Sequence, residues 1–130
     1  MEKGKRALLL TTFRGKRSGD FKWIVGNYYH NSVYDDDYIV TADGRAHPVE
    51  RYTVDIRVDG IYDKNGKEVF VGDFLEVVYP SKTVCGEVVY DAGVFVLEDA
   101  EGRQHDIAPL SRRVLEVIGN AHDRVKKIEV

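Results

Sequence analysis

The 130-residue sequence predicts a mainly β fold, a small antiparallel sheet or barrel with few short helical turns, and two observations carry this prediction. Short runs of strand-forming residues alternate with turn residues at close, regular spacing, and no sustained helical period is seen. In addition, the Asn65-Gly66 pair lies between two such runs, where Asn-Gly is a strong hairpin signal. A type I′ turn at this point would need positive φ at both residues, which Asn and Gly tolerate.

In the N-terminal half, polar turns separate the predicted strands. Residues 14–20 are rich in glycine and charge and predict the loop between the first two strands, and Asp43-Gly44 predicts the next turn. Pro48 ends the pattern, because proline cannot donate to a strand ladder. Apolar and charged residues then alternate up to a break at Asp59-Gly60. The strands predicted for this half are 8–13, 21–29, 38–41 and 54–58.

In the C-terminal half, short polar connections between strands predict an SH3-like barrel, because closure of a small sheet removes its exposed edges. A short helical turn is expected at 107–113, and a brief helix or extended tail at 120–127. We therefore expect an N-terminal strand-rich part, residues 1–58, and a C-terminal SH3-like barrel with a short tail, residues 59–130, forming one compact unit. The strands predicted for this half are 68–79 with an interruption at 72–73, 83–90, 94–98 and 114–118.

The composition predicts a cytoplasmic protein with an uneven charge distribution. The single cysteine, Cys85, excludes an intramolecular disulfide and is expected to be a small buried side chain in a strand. The apolar run at residues 7–10 is too short for a signal-peptide core or a membrane span. Residues 1–22 hold seven Lys or Arg against Glu2 and Asp20, about +5, whereas the remaining residues hold 12 basic and 20 acidic side chains, about −8.

Three blocks of sequence, in order along the chain, carry a family resemblance. The first is the basic turn Arg14-Gly15-Lys16-Arg17 followed by a Trp-centred strand, Phe21-Lys22-Trp23-Ile24-Val25-Gly26. The second is Tyr62-Asp63-Lys64-Asn65-Gly66-Lys67-Glu68-Val69-Phe70 with Gly72-Asp73 after it, and the third is Leu115-Glu116-Val117-Ile118-Gly119-Asn120. Together these blocks resemble the YopX family of phage and prophage proteins over nearly the whole chain.

The resemblance implies a mostly β protein with an SH3-like C-terminal part. It also implies that the chain is encoded by a phage or an integrated element and acts in the cytoplasm of a bacterial host. It implies no catalytic residues. The sequence departs from the family pattern mainly between Tyr28 and Thr53, a stretch that includes the triple aspartate Asp35-Asp36-Asp37.

The residues themselves give little support for an enzyme or a metal site. His30, His47, His105 and His122 are scattered and lack the spacing of a zinc pair. Asp35-Asp36-Asp37 could offer oxygen ligands to a divalent cation, but consecutive side chains on an extended segment point to opposite faces, which favours a solvated loop. We therefore expect no catalytic, cofactor-binding or metal-ligating residues.

Two binding hypotheses remain, and they use different residues. Basic side chains interleaved with Phe13, Phe21 and Trp23 could neutralise phosphates while the rings stack on bases, which makes nucleic acid a candidate partner. The alternative is that the rings fill the core and the charges are solvated at a hairpin tip, next to an acidic body that repels a polyanion. The proposed nucleic-acid contacts are Arg14, Lys16, Arg17 and Lys22.

The second hypothesis is a protein interface rich in tyrosine. Tyrosine combines a large ring with a polar handle, which suits binding surfaces, although strand propensity alone explains part of the high tyrosine count. The interface candidates are Tyr28, Tyr29 and Tyr34, which lie near a polar loop. We expect a non-enzymatic phage or prophage accessory protein that binds a host or phage protein or its own copies, with nucleic acid as the alternative partner.

Overall fold

The computed structural model describes residues 12–107 and 114–123 and confirms the mainly β fold. The described strands form two antiparallel sheets. The described residues divide into two compact units, 12–57 and 58–107 with 114–123. The strands are β1 Phe13–Lys16, β2 Trp23–Asn31, β3 Asp36–Val40, β4 Ala46–Pro48, β5 Asp55–Tyr62, β6 Glu68–Phe70, β7 Asp73–Tyr79, β8 Lys82–Asp91, β9 Val94–Asp99, β10 Gln104–Asp106 and β11 Leu115–Asn120.

The first unit is a sheet in the order β4-β3-β2-β1-β5, with a 3₁₀ turn at Arg51–Thr53 before β5. Its apolar core is small, because Ile39 and Val49 are its only buried aliphatic side chains among the described residues. Buried polar side chains make up much of the remainder, namely Arg14, Lys16, Asp37 and Thr53. The interior of this unit therefore contains polar contacts as well as apolar ones.

Strand β1 corrects the predicted loop at residues 14–20. Arg14–Lys16 continue the strand, and the turn is closed later by bonds from the Arg17 amide to the Lys22 carbonyl and from the Phe21 amide to the Arg17 carbonyl, each 2.9 Å. The absence of a side chain at Gly15 allows this, because a Cβ there would lie 3.3 Å from Val49. Residues 8–11 of the predicted first strand lie outside the described residues.

Strand β5 corrects the break predicted at Asp59-Gly60. The strand runs on to Tyr62, with Gly60 at a φ of +78° that glycine adopts without steric cost. The final residues of β5, from Val58 onward, belong to the second unit, where β6 pairs with them. The strand predicted at 38–41 is confirmed as β3, and Pro48 lies in β4, at the edge of its sheet where an absent donor is tolerated.

The second unit holds a sheet in the order β10-β9-β8-β7-β11. Strands β7, β8, β9 and β11 confirm the predicted ones, whereas the three-residue β10 was not predicted. The described strands form an open sheet rather than the predicted closed barrel, and the SH3-like arrangement stays a prediction. The outer edge of β11 is occupied by the turn after β5, because the Lys64 amide donates to the Leu115 carbonyl at 2.8 Å.

An aliphatic core lies on one face of this sheet. Inward positions alternate along β7 and β8, as expected for strands with one buried face. Cys85 lies between inward Val84 and Gly86 and is exposed, which corrects its expected burial. The buried members of the core are Val58, Val69, Leu75, Val77, Val84, Val88, Leu97, Ile107 and Leu115.

The Asn65-Gly66 turn exists, but not in the predicted type I′ form. Gly66 has a φ of +79°, whereas Asn65 is not among the residues with positive φ. The Gly66 amide donates to the Asp63 carbonyl, and the Asp63 amide to the Lys67 carbonyl, both at 2.9 Å. The Asp63 carboxylate accepts bonds from the amides of Asn65 and Lys67, each at 2.9 Å. These bonds hold Asn65 at a negative φ. The type I′ signature appears instead at Ala92-Gly93, with φ of 51° and 86°.

The predictions for the C-terminal segments are only partly tested. Ile107 is described and is not helical, while residues 108–113 of the predicted helical turn lie outside the described residues. Asn120 ends β11 and is followed by a turn through Asp123, and residues 124–127 of the predicted tail also lie outside the described part.

Candidate functional site

The β2–β3 hairpin and the 3₁₀ turn of the first unit bring together charged and aromatic side chains that are separated in the sequence. His30 is the direct cross-strand partner of Asp37, so both side chains lie on one face of the sheet. Tyr28 lies two residues before His30 on the same strand and therefore shares that face. Arg51 reaches the same point from the 3₁₀ turn.

The Asp37 carboxylate is the centre of this cluster. It is 4% exposed and accepts bonds from three side chains. His30 Nδ1 donates to Oδ1 at 2.9 Å, Arg51 Nε donates to Oδ2 at 2.6 Å, and the Tyr28 hydroxyl donates a short bond to Oδ1. Each donor satisfies a lone pair that burial has removed from water.

These contacts set the protonation of the cluster. Burial is the largest influence on Asp37 and raises its pKa, but the bonds from Tyr28, His30 and Arg51 together outweigh burial and lower the pKa to about 2. The same contact raises the pKa of the Tyr28 hydroxyl, because its proton is held by the carboxylate. Asp37 is therefore ionised at neutral pH, and its oxygens act as acceptors.

The loop after β2 is fixed by neighbouring polar groups. Asn31 Oδ1 accepts the Val33 amide at 3.0 Å and the Tyr34 amide at 3.4 Å. Asp35 has a φ of +53°, an unusual conformation for a residue other than glycine. Arg51 holds it there, with Nη2 at 2.8 Å from Asp35 Oδ1 and 3.2 Å from its carbonyl oxygen.

Large apolar side chains protrude from this fixed loop. Val33 is 80% exposed and Tyr34 is 78% exposed. Tyr29 is also exposed on β2, with its ring 6.3 Å from that of Tyr38. The predicted interface residues therefore divide in two, with Tyr29 and Tyr34 at the surface and Tyr28 half-buried against Phe13 and bonded to Asp37.

The triple aspartate is not the solvated loop that was predicted. Asp37 is buried in the cluster, and Asp36 Oδ2 accepts the Tyr38 hydroxyl at 2.9 Å. Asp36 Oδ1 is buried with no bonding partner. Within residues 12–107 and 114–123, no group of three or more His, Cys, Asp or Glu side chains is arranged to hold a metal ion.

Two of the proposed nucleic-acid contacts are buried. Arg14 is 6% exposed, bonds Asp55 Oδ2 through Nη2 at 3.1 Å, and stacks 4.5 Å from the centre of the Trp23 ring. Lys16 is 8% exposed, with Nζ at 5.2 Å from the Trp23 ring centre and 5.9 Å from that of Phe21. Such contacts stabilise a fold by cation–π attraction.

The other two proposed contacts are nearer the surface. Arg17 is paired with Asp20, which holds the pKa of that carboxyl at about 2, chiefly through the Arg17 side-chain bond and then the Lys22 amide. The Lys22 side chain is exposed. The four basic residues therefore do not form one exposed patch.

The second unit has a histidine–carboxylate pair at the end of its sheet. His105 Nε2 donates to Asp99 Oδ2 at 2.9 Å, and the bond from His105 is the main reason why the pKa of Asp99 falls to about 2. Asp99 Oδ1 also accepts the amides of Glu101 and Arg103, at 3.0 and 2.9 Å. The carboxylate thus holds the β9–β10 turn, beside a cavity of about 480 Å³ that Cys85 and Arg103 help to line.

The sequence analysis did not predict that His30, Asp37 and Arg51 form a cluster. The spacing of Tyr28 and His30 could have indicated a shared face, because side chains two apart on a strand point the same way. Arg51 could not have been found in this way, since a β strand and a turn separate it from Asp37.

A family model described as YopX protein matches residues 12–129, and no curated protein matches the chain. Among residues 12–107 and 114–123, no helix could cross a lipid bilayer. The family match covers nearly the whole sequence and both of its units, so the chain belongs to the YopX protein family.

Proposed function

We propose that this YopX-family protein works by binding another protein through the loop of its β2–β3 hairpin, without catalysing a reaction. Tyr29, Val33 and Tyr34 form the contact surface, called here the hairpin surface. In this proposal the chain is a phage or prophage accessory protein whose partner is a host or phage protein in the bacterial cytoplasm, a setting that the family resemblance supports. The exposure of Val33 and Tyr34 on a fixed loop is the observation that carries this proposal.

Exposed aromatic and aliphatic side chains at one tip are suited to protein recognition. A tyrosine that inserts into a partner's pocket removes apolar area from water while its hydroxyl keeps a polar contact. Tyrosine is enriched among the few residues that supply most of the binding energy at protein interfaces. Val33 and Tyr34 are adjacent in sequence, and each is more than three-quarters exposed. Tyr34 can therefore insert into a pocket of the partner while Val33 packs against the surface beside it.

The Asp37 cluster supports this function by fixing the loop before a partner arrives. Arg51 bonds both Asp35 and Asp37, so the loop and the buried carboxylate are held by one guanidinium. A loop that is already ordered loses less conformational entropy on binding, and affinity rises accordingly. The cluster is therefore assigned a positioning role and Tyr34 a contact role.

Charge and burial favour a protein partner over a nucleic acid. The described residues of the first unit hold seven Lys or Arg and seven Asp or Glu, so these residues carry no net charge that would attract a polyanion. Arg14 and Lys16 are buried against Asp55 and Trp23, which leaves Arg17 and Lys22 as the nearer of the four candidates to solvent. Nucleic acid remains the alternative partner that the experiment distinguishes.

The test is affinity capture from bacterial lysate with the tagged chain and two matched variants. Tyr34→Ala removes the proposed anchor, whereas Tyr90→Ala removes another exposed tyrosine, from the second unit. We expect one protein to be recovered stoichiometrically in the presence of nuclease, with both wild type and Tyr90→Ala, and to be lost with Tyr34→Ala.

Three outcomes would overturn the proposal. Recovery that depends on intact nucleic acid would favour the alternative. Recovery that survives Tyr34→Ala and a further Tyr29→Ala change would remove the hairpin surface from the interaction. A purified chain that self-associates only when Tyr34 is present would replace the foreign partner with a second copy.

A further inference from the structure

We propose that Asn65 is a site of spontaneous deamidation, and that its isoaspartate product loosens the contact between the turn at residues 63–67 and strand β11. This inference goes beyond the proposed function and does not depend on it, because it concerns the second unit and uses no residue of the hairpin surface. We call residues 63–67 the Asn65 turn.

The sequence of the Asn65 turn favours attack by the backbone on the asparagine side chain. Gly66 has no side chain, so its nitrogen can approach the Asn65 amide without steric hindrance. The φ of +79° at Gly66 favours glycine there, so the turn itself retains the reactive pair. In the other three asparagine pairs of the chain the second residue carries a side chain, namely Asn27-Tyr28, Asn31-Ser32 and Asn120-Ala121.

The reacting groups are also accessible to water. Asn65 and Gly66 are both exposed at the tip of the turn. Two other asparagine side chains are held by the backbone, because Asn31 Oδ1 accepts the Val33 amide at 3.0 Å and Asn120 Oδ1 accepts the His122 amide at 2.7 Å. Exposure and the following glycine thus coincide at residue 65.

The reaction needs water as its only co-reactant. The Gly66 nitrogen loses its proton to base and attacks Asn65 Cγ, so that a nitrogen–Cγ bond forms and the Cγ–Nδ2 bond breaks. Nδ2 takes up a proton and leaves as ammonia, which leaves a succinimide ring. Water then opens the ring. Cleavage of the new nitrogen–Cγ bond gives aspartate, whereas cleavage of the original peptide bond gives isoaspartate, whose main chain runs through Cβ and Cγ.

One backbone hydrogen bond has to open before the attack. The Gly66 amide donates to the Asp63 carbonyl at 2.9 Å, and its nitrogen cannot lose the proton to water while that bond is closed. The bond lies in an exposed turn, where bonds open locally without unfolding of the sheet. Deamidation therefore proceeds in the native chain, at a lower rate than in the unfolded chain.

The Asn65 turn is attached to β11 by three contacts. The Lys64 amide donates to the Leu115 carbonyl at 2.8 Å, and Lys64 Nζ lies 3.0 Å from Glu116 Oε1. Asp63 Oδ2 accepts the Val117 amide at 3.0 Å. A change in the length of the turn therefore acts directly on the outer edge of the sheet.

Isoaspartate changes this length. It adds a methylene carbon to the main chain between residues 65 and 66, inside the loop that two bonds between Asp63 and Lys67 close. These bonds run from the Lys67 amide to Asp63 Oδ1 and from the Asp63 amide to the Lys67 carbonyl, each at 2.9 Å. The inserted carbon displaces Lys67 from Asp63, and the carboxylate loses the position in which it accepts the Val117 amide. Aspartate, in contrast, leaves the main chain unchanged.

The modification is tested by peptide mass spectrometry of the purified full chain during incubation at neutral and mildly alkaline pH. We expect residue 65 to exchange its amide for a carboxylic acid at least about tenfold faster than Asn27, Asn31 or Asn120, which corresponds to about 1.4 kcal/mol of activation free energy. Alkaline pH should raise the rate, because the attacking nitrogen must lose its proton. Asn65→Gln is the matched control and should stay unmodified, since its longer side chain would have to close a larger ring.

The effect on β11 is tested by amide hydrogen exchange. We expect the Val117 amide to exchange at least about tenfold faster in the isoaspartate form than in the fresh chain, because its acceptor is displaced. Fresh Asn65→Asp carries the charge of the aspartate product on a main chain of normal length and should exchange like wild type. Neither measurement involves a partner, so this proposal and the hairpin surface can fail independently.

Several results would overturn the proposal. Residue 65 that is modified no faster than Asn27 in the folded chain would remove the site, as would a rate that does not rise with pH. Equal exchange of the Val117 amide in the fresh and isoaspartate forms would show that the turn does not transmit the change to β11. Exchange that is equally fast in Asn65→Asp would assign the effect to charge rather than to the lengthened main chain.

Discussion

The carboxylate of Asp63 accepts the backbone amide of Val117 at 3.0 Å, across 54 residues of sequence. Asp63 is 1% exposed, and its other oxygen accepts the amides of Asn65 and Lys67. One side chain therefore shapes the hairpin turn and fixes the last described strand. This contact gives two of the family-like sequence blocks a common structural role, since Asp63 lies in one block and Val117 in the other.

Replacement of Asp63 by alanine should destabilise the second unit. The change leaves the amides of Asn65, Lys67 and Val117 without the acceptor that Asp63 supplies, and an unsatisfied group that is out of contact with water costs about 1–3 kcal/mol. We expect a loss of free energy of unfolding of at least about 2 kcal/mol, measured by urea denaturation. Glu101→Gln serves as the control, because its carboxylate is exposed, and it should change stability by less than about 0.5 kcal/mol. Equal effects of the two changes would contradict the role given to Asp63.

Acid should weaken the fold at Asp37, Asp63 and Asp99. The pKa of Asp63 is lowered by three amide bonds that outweigh burial, its largest influence, and the pKa values of Asp37 and Asp99 are about 2. A carboxyl with a depressed pKa contributes full stability above its unfolded pKa, about 4. That contribution is lost as pH falls through the folded value.

The free energy of unfolding should therefore stay high near neutrality and decline from about pH 5 towards pH 2. Urea titrations at a series of pH values measure how steeply the free energy of unfolding changes with pH. Asp37→Asn should make this change less steep, because the variant lacks the carboxyl that takes up a proton at residue 37 on unfolding. A stability that stays constant down to pH 2 would exclude the linkage.

Arg14 should matter for folding more than for ligand contact. Arg14→Gln breaks the buried ion pair with Asp55 next to Trp23, and breaking such a pair costs about 3–5 kcal/mol. Lys22→Gln removes an exposed charge in the same part of the chain and is the matched control. Unfolding followed by Trp23 fluorescence distinguishes them, and similar transition midpoints for the two variants would count against a structural role.

Cys85 should react in the native protein. Its side chain points outward between two inward positions of β8, so a thiol reagent can reach it without unfolding. We expect one thiol per chain to be labelled in native buffer, at a rate within about tenfold of that in denaturant. A thiol that reacts only after denaturant is added would show that Cys85 is buried in the folded protein.

Strand positions were largely predictable because they depend on local pattern. Alternation and polar turns identified β3 and β7 to β9, and Gly44, Gly66 and Gly93 all have positive φ in the turns where they were expected. The β1 extension was not predictable, since residues 14–16 have a turn-like composition and lie in a strand whose Arg14 and Lys16 contact Trp23. Tertiary contacts there outweighed local preference.

The candidate site was less predictable than the fold for the same reason. Exposed Tyr29 and Tyr34 follow from their positions on and beside a strand. Asp37 became central through bonds from Tyr28, His30 and Arg51, and no spacing rule connects those residues. The conformation of the turn at Asn65-Gly66 depends on Asp63, which lies outside the Asn-Gly pair on which the prediction of the turn was based.

The pairing of β11 beside β7 also determines when the second unit can be completed during synthesis. A ribosome must release residues up to Asn120 before β7 gains its second neighbour and before the Asp63 carboxylate gains its third amide. Until then, the edge of β7 is an open template on which another nascent chain can pair. Strand β11, the last of the described strands to be translated, is thus the one that ends this exposure.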